Sequence, residues 1–236
     1  MSIWVRIGEF VTSVASNAIS GVIEAVRTVF EGDADTRRQV AFSIAMIALS
    51  AKMAKADGVV TQDEIRAFQD IFAVPKEETA HVARLYDLAK QDVAGYESYA
   101  RQLAGLCSEG QTNCHLLEDI LDGLFHIATA DGYVHEKEMA FLAGVADIFG
   151  YDEVAFDRIA IRHVQRGADD PYAILGLERG VSFEMARKRY RALVKEHHPD
   201  RLVAEGLPLE FITIANRRLA AINAAWASIE KNLEAA

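Results

Sequence analysis

Lys55-Ala56-Asp57-Gly58-Val59-Val60-Thr61-Gln62-Asp63-Glu64-Ile65 returns 74 residues later as Thr129-Ala130-Asp131-Gly132-Tyr133-Val134-His135-Glu136-Lys137-Glu138-Met139. In both copies a stretch of helical period precedes the Asp-Gly pair and another follows it. Glycine tolerates the positive φ that ends one helix. Val60 or Val134 is then set to pack inward, and Thr61 or His135 to start the next helix. Each copy therefore reads as helix, Asp-Gly turn, helix. Two such pairs would pack as one pseudo-symmetric bundle.

Working outward, helical periodicity continues in both directions. One helix is predicted from Thr36 to Ala56, with Val40, Ile44, Ile47, Ala48 and Ala51 inward and Asp33 or Asp35 as its cap. Thr61 and Glu64 form a T-x-x-E capping box before Ile65, Phe68 and Phe72. Pro75 can open the next helix, where its missing N–H costs little. Further helices are predicted over Gly95–Cys107, Thr112–Ala130, His135–Phe149 and Glu153–Val164. No stretch alternates with period two between turn signals. The predicted fold class is all-α.

Composition agrees. Of 236 residues, 51% are hydrophobic and 25% charged, enough apolar surface to bury a core and too much for a disordered chain. Two cysteines cannot form a disulfide framework, which points to a reducing, cytoplasmic setting. Cys107 and Cys114 lie seven positions apart beside His115, unlike the tight pairs of zinc sites, and read as structural thiols. The net charge of -10 disfavours non-specific nucleic-acid binding. That charge is uneven. Residues 1–168 hold 25 acidic and 15 basic side chains, whereas residues 169–236 hold 10 of each. The break marks two units with different partners.

The N-terminal segment 1–32 places Trp4, Ile7, Val11, Val14, Ala18, Ile19, Val22 and Val26 at helical spacing. Its uncharged stretch, Phe10 to Ile23, is fourteen residues. At ~1.5 Å per residue this covers about 21 Å, short of a bilayer core of about 30 Å. A signal peptide would want a basic front, and Glu9 follows the lone Arg6. The segment reads as an amphipathic helix that packs on its own domain or on a second copy. The alternative is peripheral contact with the inner membrane, for which its few basic residues are a poor match.

The Asp-Gly repeat raises a metal question. With Asp57 as position 5 of an EF-hand loop, Glu64 falls at the bidentate position 12, but positions 1 and 3 become Met53 and Lys55. The second copy offers Ile127 and Thr129 there. A standard EF-hand is excluded. A site shared by Asp57, Glu64, Asp131 and Glu138 across the pseudo-dyad stays open, against the simpler reading that these carboxylates cap helices. No G-x-G-x-x-G, Walker, G-x-S-x-G or H-E-x-x-H element is present, and His81, His126 and His163 sit inside helical patterns. The chain reads as no enzyme and calls for no cofactor.

After the linker Arg166-Gly167-Ala168-Asp169 a second unit begins with Asp170-Pro171-Tyr172-Ala173-Ile174-Leu175-Gly176-Leu177. Asp170 can cap, Pro171 can take the first helical position, and Gly176 can end the turn. Ser182 then caps a helix whose buried stripe is Phe183, Ala186, Tyr190, Leu193 and Val194. Lys188, Arg191 and Lys195 share one face of it, with Arg187 and Arg189 beside them. Pro199 stops the helix at His197-His198-Pro199-Asp200. A last helix starts near Pro208 and presents Ile212, Ala215, Leu219, Ile222, Trp226 and Ile229 at steps of three and four. The two long helices are expected to pack antiparallel along that seam.

Two resemblances attach to these motifs. The paired A-D-G-x-V-x-x-x-E elements in an all-α setting resemble the TerB-like, tellurite-resistance family over roughly 36–165. That resemblance implies a helical bundle with an acidic patch. Residues 169–236 resemble a J-domain of the DnaJ co-chaperone family, on D-P-Y-A-I-L-G-L at 170–177, R-K-R-Y-R-A-L-V-K at 187–195, His198-Pro199-Asp200 and I-N-A-A-W at 222–226. His-Pro-Asp between two such helices is highly specific. The order of the two units resembles the DjlA-type co-chaperones. The domains expected are an N-terminal helix (1–32), a TerB-like domain (33–166) and a J-domain hairpin (169–236).

The J-domain resemblance implies stimulation of ATP hydrolysis by a DnaK-type chaperone, with His198, Pro199 and Asp200 carrying the activity. It also implies that Arg187, Lys188, Arg191 and Lys195 meet an acidic surface of that ATPase. The first domain would recruit the chaperone to a protein partner of its own. The competing reading is an interaction or metal-sensing module whose J-like unit only docks. A Lys/Arg-rich fourth helix, a Gly/Phe-rich segment and a zinc module are not seen before Ala236.

Overall fold

The helix predicted over 36–56 runs from Ala34 to Asp57 (α2) and has no polar face from Val40 to Ala54, a stretch buried without interruption. A helix apolar all round is stable only when surrounded. The rest of the first unit is arranged to surround it. The computed structural model describes residues 3–13, 34–57, 62–72, 74–91, 95–105, 115–164, 170–200 and 212–234. Among these, the helices besides α2 are α1 (Ile3–Ser13), α3 (Gln62–Phe72), α4 (Thr79–Gln91), α5 (Tyr96–Ala104), α6 (His115–Ala128), α7 (Glu136–Ile148), α8 (Glu153–Ile161), α9 (Pro171–Leu175), α10 (Phe183–Glu196) and α11 (Ile212–Glu234).

Around α2 pack α1, α4, α5, α6 and α7. The repeat behaves as its sequence implies. The second helix of each copy packs on the first helix of the other: α3 on α6, and α7 on α2. That reciprocity is what a pseudo-two-fold bundle requires. Gly132 has φ +106°, so the second Asp-Gly turn uses the freedom only glycine has there. Thr61, which was to open the capping box of the first copy, and Cys107 and Cys114 lie outside the described residues.

The helix ends differ from expectation in small, explicable ways. Pro75 precedes a 3₁₀ turn, Lys76–Glu78, that leads into α4. The α5 helix stops at Ala104 because Gly105 takes the cap position. Asp152 caps α8 by accepting the Ala155 N–H at 2.8 Å.

Over its described length, α1 turns Trp4, Ile7 and Val11 into the same core and packs against α4 and α2. The Trp4 and Phe72 rings meet edge to face with centroids 6.2 Å apart. Trp4, Ile7 and Val11 are thus covered by their own chain. Val14, Ala18, Ile19, Val22 and Val26 lie outside the described residues. No helix among the described residues is long and apolar enough to cross a membrane.

The C-terminal unit has its own small core of Leu175, Ala186, Leu193, Ile222, Ala225, Trp226 and Ile229. Trp226 stacks on Tyr190 at 5.0 Å and tilts against Phe183 at 5.6 Å. The pairings 197 with 218, 190 with 223 and 183 with 226 run in opposite directions, so α10 and α11 are antiparallel, as expected. Asp170 caps α9 through the Tyr172 N–H, Gly176 ends it at φ +65°, and Ser182 caps α10 through the Met185 N–H.

One expectation about α11 needs correction. Its apolar positions do not form a single seam. Ile214 and Ala215 belong to the first core, Leu219 is half-buried, and the hairpin seam begins at Ile222. The helix therefore crosses from one unit to the other. Gly123 of α6 makes the crossing close: a Cβ there would sit 3.0 Å from Ile214 Cδ1 and 2.8 Å from Met46 Cε.

Leu49, fully buried on α2, is expected to cost about 2–5 kcal/mol when truncated to alanine. Ile65 is 39% exposed, and its truncation is expected to stay within about 0.5 kcal/mol. Chemical denaturation with both variants checks the pair. Equal shifts in midpoint would contradict the central role of α2.

Candidate functional site

At the end of α10, His197 closes the helix with φ -104° and its N–H on the Leu193 carbonyl at 2.9 Å. Pro199 then forbids helical geometry at His198. The His198 side chain is 49% exposed and that of Asp200 92% exposed. The Asp200 N–H donates to His198 Nδ1 at 3.2 Å, and an Asp200 carboxylate oxygen lies 3.6 Å from the same nitrogen. Both contacts hold the imidazole against the Asp200 backbone and side chain. The turn is a polar knuckle with its imidazole and carboxylate exposed.

Beside it, Arg187, Lys188, Arg191 and Lys195 are all exposed on α10. None of the four has an ion-pair partner among the described residues. Arg189 is different: its Nε donates to the Leu175 carbonyl at 3.1 Å and ties α10 to the end of α9. The stripe is therefore unneutralised positive charge on an otherwise acidic chain. Such a surface steers an acidic partner and loses strength with salt.

Beneath the knuckle lies a cluster that the sequence reading did not single out. Glu118, Asp119 and Asp122 project from α6, and Arg218 of α11 reaches in among them with its side chain fully buried. Arg218 Nε donates to Asp122 at 2.6 Å, and another nitrogen of its fork lies 2.7 Å from Asp119. Arg162, just past α8, donates to Glu118 at 2.7 Å and to Asp122 at 3.0 Å. His163 meets Asp122 at 2.8 Å while its ring stacks on Phe125 at 5.2 Å. Arg218 Nη1 also donates to His197 Nδ1 at 3.0 Å, and His197 is buried.

The balance of burial against neighbouring positive charge separates the three carboxyls. Burial by itself raises each of them. At Asp122, Arg162 together with Arg218 and His163 overcomes burial and holds the group well below its usual range. At Glu118, Arg218 and Arg162 bring it down to about 2. Asp119 accepts no hydrogen bond despite its close ion pair, and there burial wins, pushing it up to about 7 against the pull of Arg218. A signal for this cluster exists in the sequence: two aspartates three apart inside the apolar run of α6, and an arginine midway between Ala215 and Ile222.

The acidic repeat residues fare less well as ligands. The buried Glu138 accepts the His135 N–H at 2.9 Å, and so closes the start of α7. Asp131 accepts the Tyr133 N–H at 3.3 Å, with His135 Nε2 at 3.4 Å. Both serve the turn itself. The Asp57 and Glu64 side chains lie outside the described residues. Among the described residues, no three His, Cys, Asp or Glu side chains come together as a metal site.

An all-α bundle with a duplicated Asp-Gly turn and a docked helical hairpin has a counterpart among known proteins. The chain belongs to the TerB family: the model for tellurite resistance protein TerB matches residues 43–161. Curated relatives extend the similarity through the hairpin. The co-chaperone protein DjlA of Photobacterium profundum is 29% identical over 220 residues, covering 82% of this chain and 78% of the relative. The DjlA co-chaperones of Coxiella burnetii and Aliivibrio fischeri are 27% and 26% identical, over 76% and 85% of this chain and 73% and 81% of their own lengths. No solved structure matches.

The carboxyl cluster makes stability depend on pH in two directions. Glu118 and Asp122 are lower in the folded state, so their contribution is present above the ordinary carboxylate range and lost as pH falls toward about 2. Asp119 is raised from 3.8 to about 7, so what it contributes is present below about 4 and lost as pH rises through about 7. His163, His197, Arg162 and Arg218 share the cluster, so the comparison must be internal. Urea midpoints at pH 5 and pH 8 are expected to fall with pH for the wild type, and to fall less for Asp119→Asn. Identical slopes would refute the assignment.

Proposed function

We propose that the chain is a co-chaperone that stimulates ATP hydrolysis by a DnaK-type chaperone. His198, Pro199 and Asp200 act as the trigger, and Arg187, Lys188, Arg191 and Lys195 as the docking stripe. The observation that carries this reading is the pairing of a fixed, exposed His198-Pro199-Asp200 knuckle with four unneutralised cations on the adjoining helix. The curated relatives, named co-chaperones, support the same role.

Mechanistically the hairpin makes and breaks no bonds. The stripe brings an acidic ATPase surface into register through long-range attraction. The knuckle then offers the His198 imidazole and the Asp200 carboxylate to that surface. Stimulation requires that these contacts be stronger in the hydrolysis-competent state of the chaperone than in its resting state. The TerB-family unit, as the larger and acidic part, recruits this activity to a protein partner of its own. The expected domain division, 33–166 and 169–236, assigns recruitment to one unit and stimulation to the other.

Single-turnover ATP hydrolysis by a DnaK-type chaperone, with and without the full chain, is the test. Stimulation is expected. His198→Gln should abolish it while leaving the fold intact. Charge reversal at Lys188 and Arg191 should raise the concentration needed for half-maximal effect and flatten its salt dependence. Stimulation that survives His198→Gln unchanged would overturn the proposal.

A further inference from the structure

Three further features compete for a role: an apolar hollow of about 330 Å³ beside α3 and α4, the acidic turns of the repeat, and the buried charge cluster. Nothing indicates what would fill the hollow, and the described repeat carboxylates, Asp131 and Glu138, accept backbone N–H groups of their own turn. The cluster carries an inference further, because it connects the two units to the knuckle by an unbroken chain of contacts. It rests on the reading of the knuckle as the chaperone trigger.

The connection can be followed atom by atom. Asp122 on α6 accepts from Arg218 Nε at 2.6 Å. Arg218 Nη1 donates to His197 Nδ1 at 3.0 Å. His197 is joined by one peptide bond to His198. The guanidinium is planar and rigid, so its Nε edge and its Nη1 end cannot move independently. Fixing one against α6 fixes the direction of the other. His197 in turn is buried and anchored to α10 through its N–H on Leu193. The base of the knuckle is therefore located relative to the first unit and not only relative to its own hairpin.

We propose that Asp122, Arg218 and His197 are positioning residues: the TerB-family unit sets the orientation of the His198-Pro199-Asp200 knuckle through the Arg218 fork. Docking leaves the working surface open. His198, Asp200 and the whole cationic stripe stay exposed while Arg218 is buried. The contact thus orients the trigger without masking it. Ile214, held in the first core beside Gly123, keeps the start of α11 in place so that the fork cannot slide.

The chemistry of the three side chains sets the test. Lysine at 218 keeps a positive charge among the carboxyls but has no fork, so it cannot hold Asp122 and His197 together. In full-chain Arg218→Lys, maximal stimulation of the chaperone is expected to fall at least about threefold, with the half-maximal concentration within about twofold of wild type, because the stripe is untouched. A general loss of fold would move both, and would show in circular dichroism. Arg218→Met should reduce stimulation further. If it fails to fold, Arg218→Lys decides alone.

A second readout needs no activity. Because arginine only donates, His197 Nδ1 must accept, which places the ring proton on Nε2. Nitrogen NMR of the wild-type imidazoles at neutral pH is expected to show this tautomer for His197, and a mixed one in Arg218→Lys. Wild-type stimulation by Arg218→Lys, or a His197 proton on Nδ1 in the wild type, overturns the positioning role and leaves the co-chaperone reading standing. Absence of stimulation by the wild-type chain removes that reading, and the positioning role with it.

Discussion

The burial of the Arg218 guanidinium against Glu118, Asp119 and Asp122 constrains more of this molecule than any other contact. A guanidinium cannot shed its proton, so once out of water it must be surrounded by acceptors. Its carboxylate partners all lie on α6, in the first unit, while His197 at the end of α10 accepts from Nη1. The position of α11, and with it the hairpin, is decided by where that charge can be satisfied. Buried ion pairs often add little net stability, since desolvation offsets much of the attraction. Their value here is geometric. An apolar patch would accept α11 at many rotations, whereas a planar fork between Asp122 and His197 accepts few.

The same economy appears in the division of charge. The acidic excess lies in residues 1–168, and the second unit is neutral in sum. Within that zero sum, Arg218 is spent inside the cluster and Arg189 on the Leu175 carbonyl, while Arg187, Lys188, Arg191 and Lys195 are exposed with no ion-pair partner among the described residues. Identical side-chain types thus divide into an internal set and an exposed set.

Much of the fold was legible in the sequence because its signals are local. Helical periodicity, the Asp-Gly turn with Gly132 at positive φ, the Asp170 and Ser182 caps and the Gly176 stop depend on residues a few positions apart. The knuckle was legible for the same reason: Pro199 acts on its immediate predecessor. The Arg218 cluster was not, since its members come from positions 118–122, 162–163, 197 and 218. Its local traces are a pair of aspartates interrupting the apolar run of α6 and an arginine between Ala215 and Ile222 of α11. The carboxylates of the repeat left two readings open, a shared site or helix capping, and Glu138 and Asp131 accept backbone N–H groups within their own turn.

By itself, then, the sequence determined the all-α class, the duplicated helical pair, the helical hairpin and the residues of its exposed knuckle and stripe. Each of these follows from periodicity, capping and proline geometry acting over one or two turns of chain. Only the tertiary structure decided that α11 belongs to both cores, that Arg218 is an internal charge rather than part of the cationic surface, and that Asp119 and Asp122, three residues apart on one helix, titrate in opposite directions. Those outcomes depend on how much water each charged group loses and which distant donors replace it, quantities that arise when helices far apart in the chain come together.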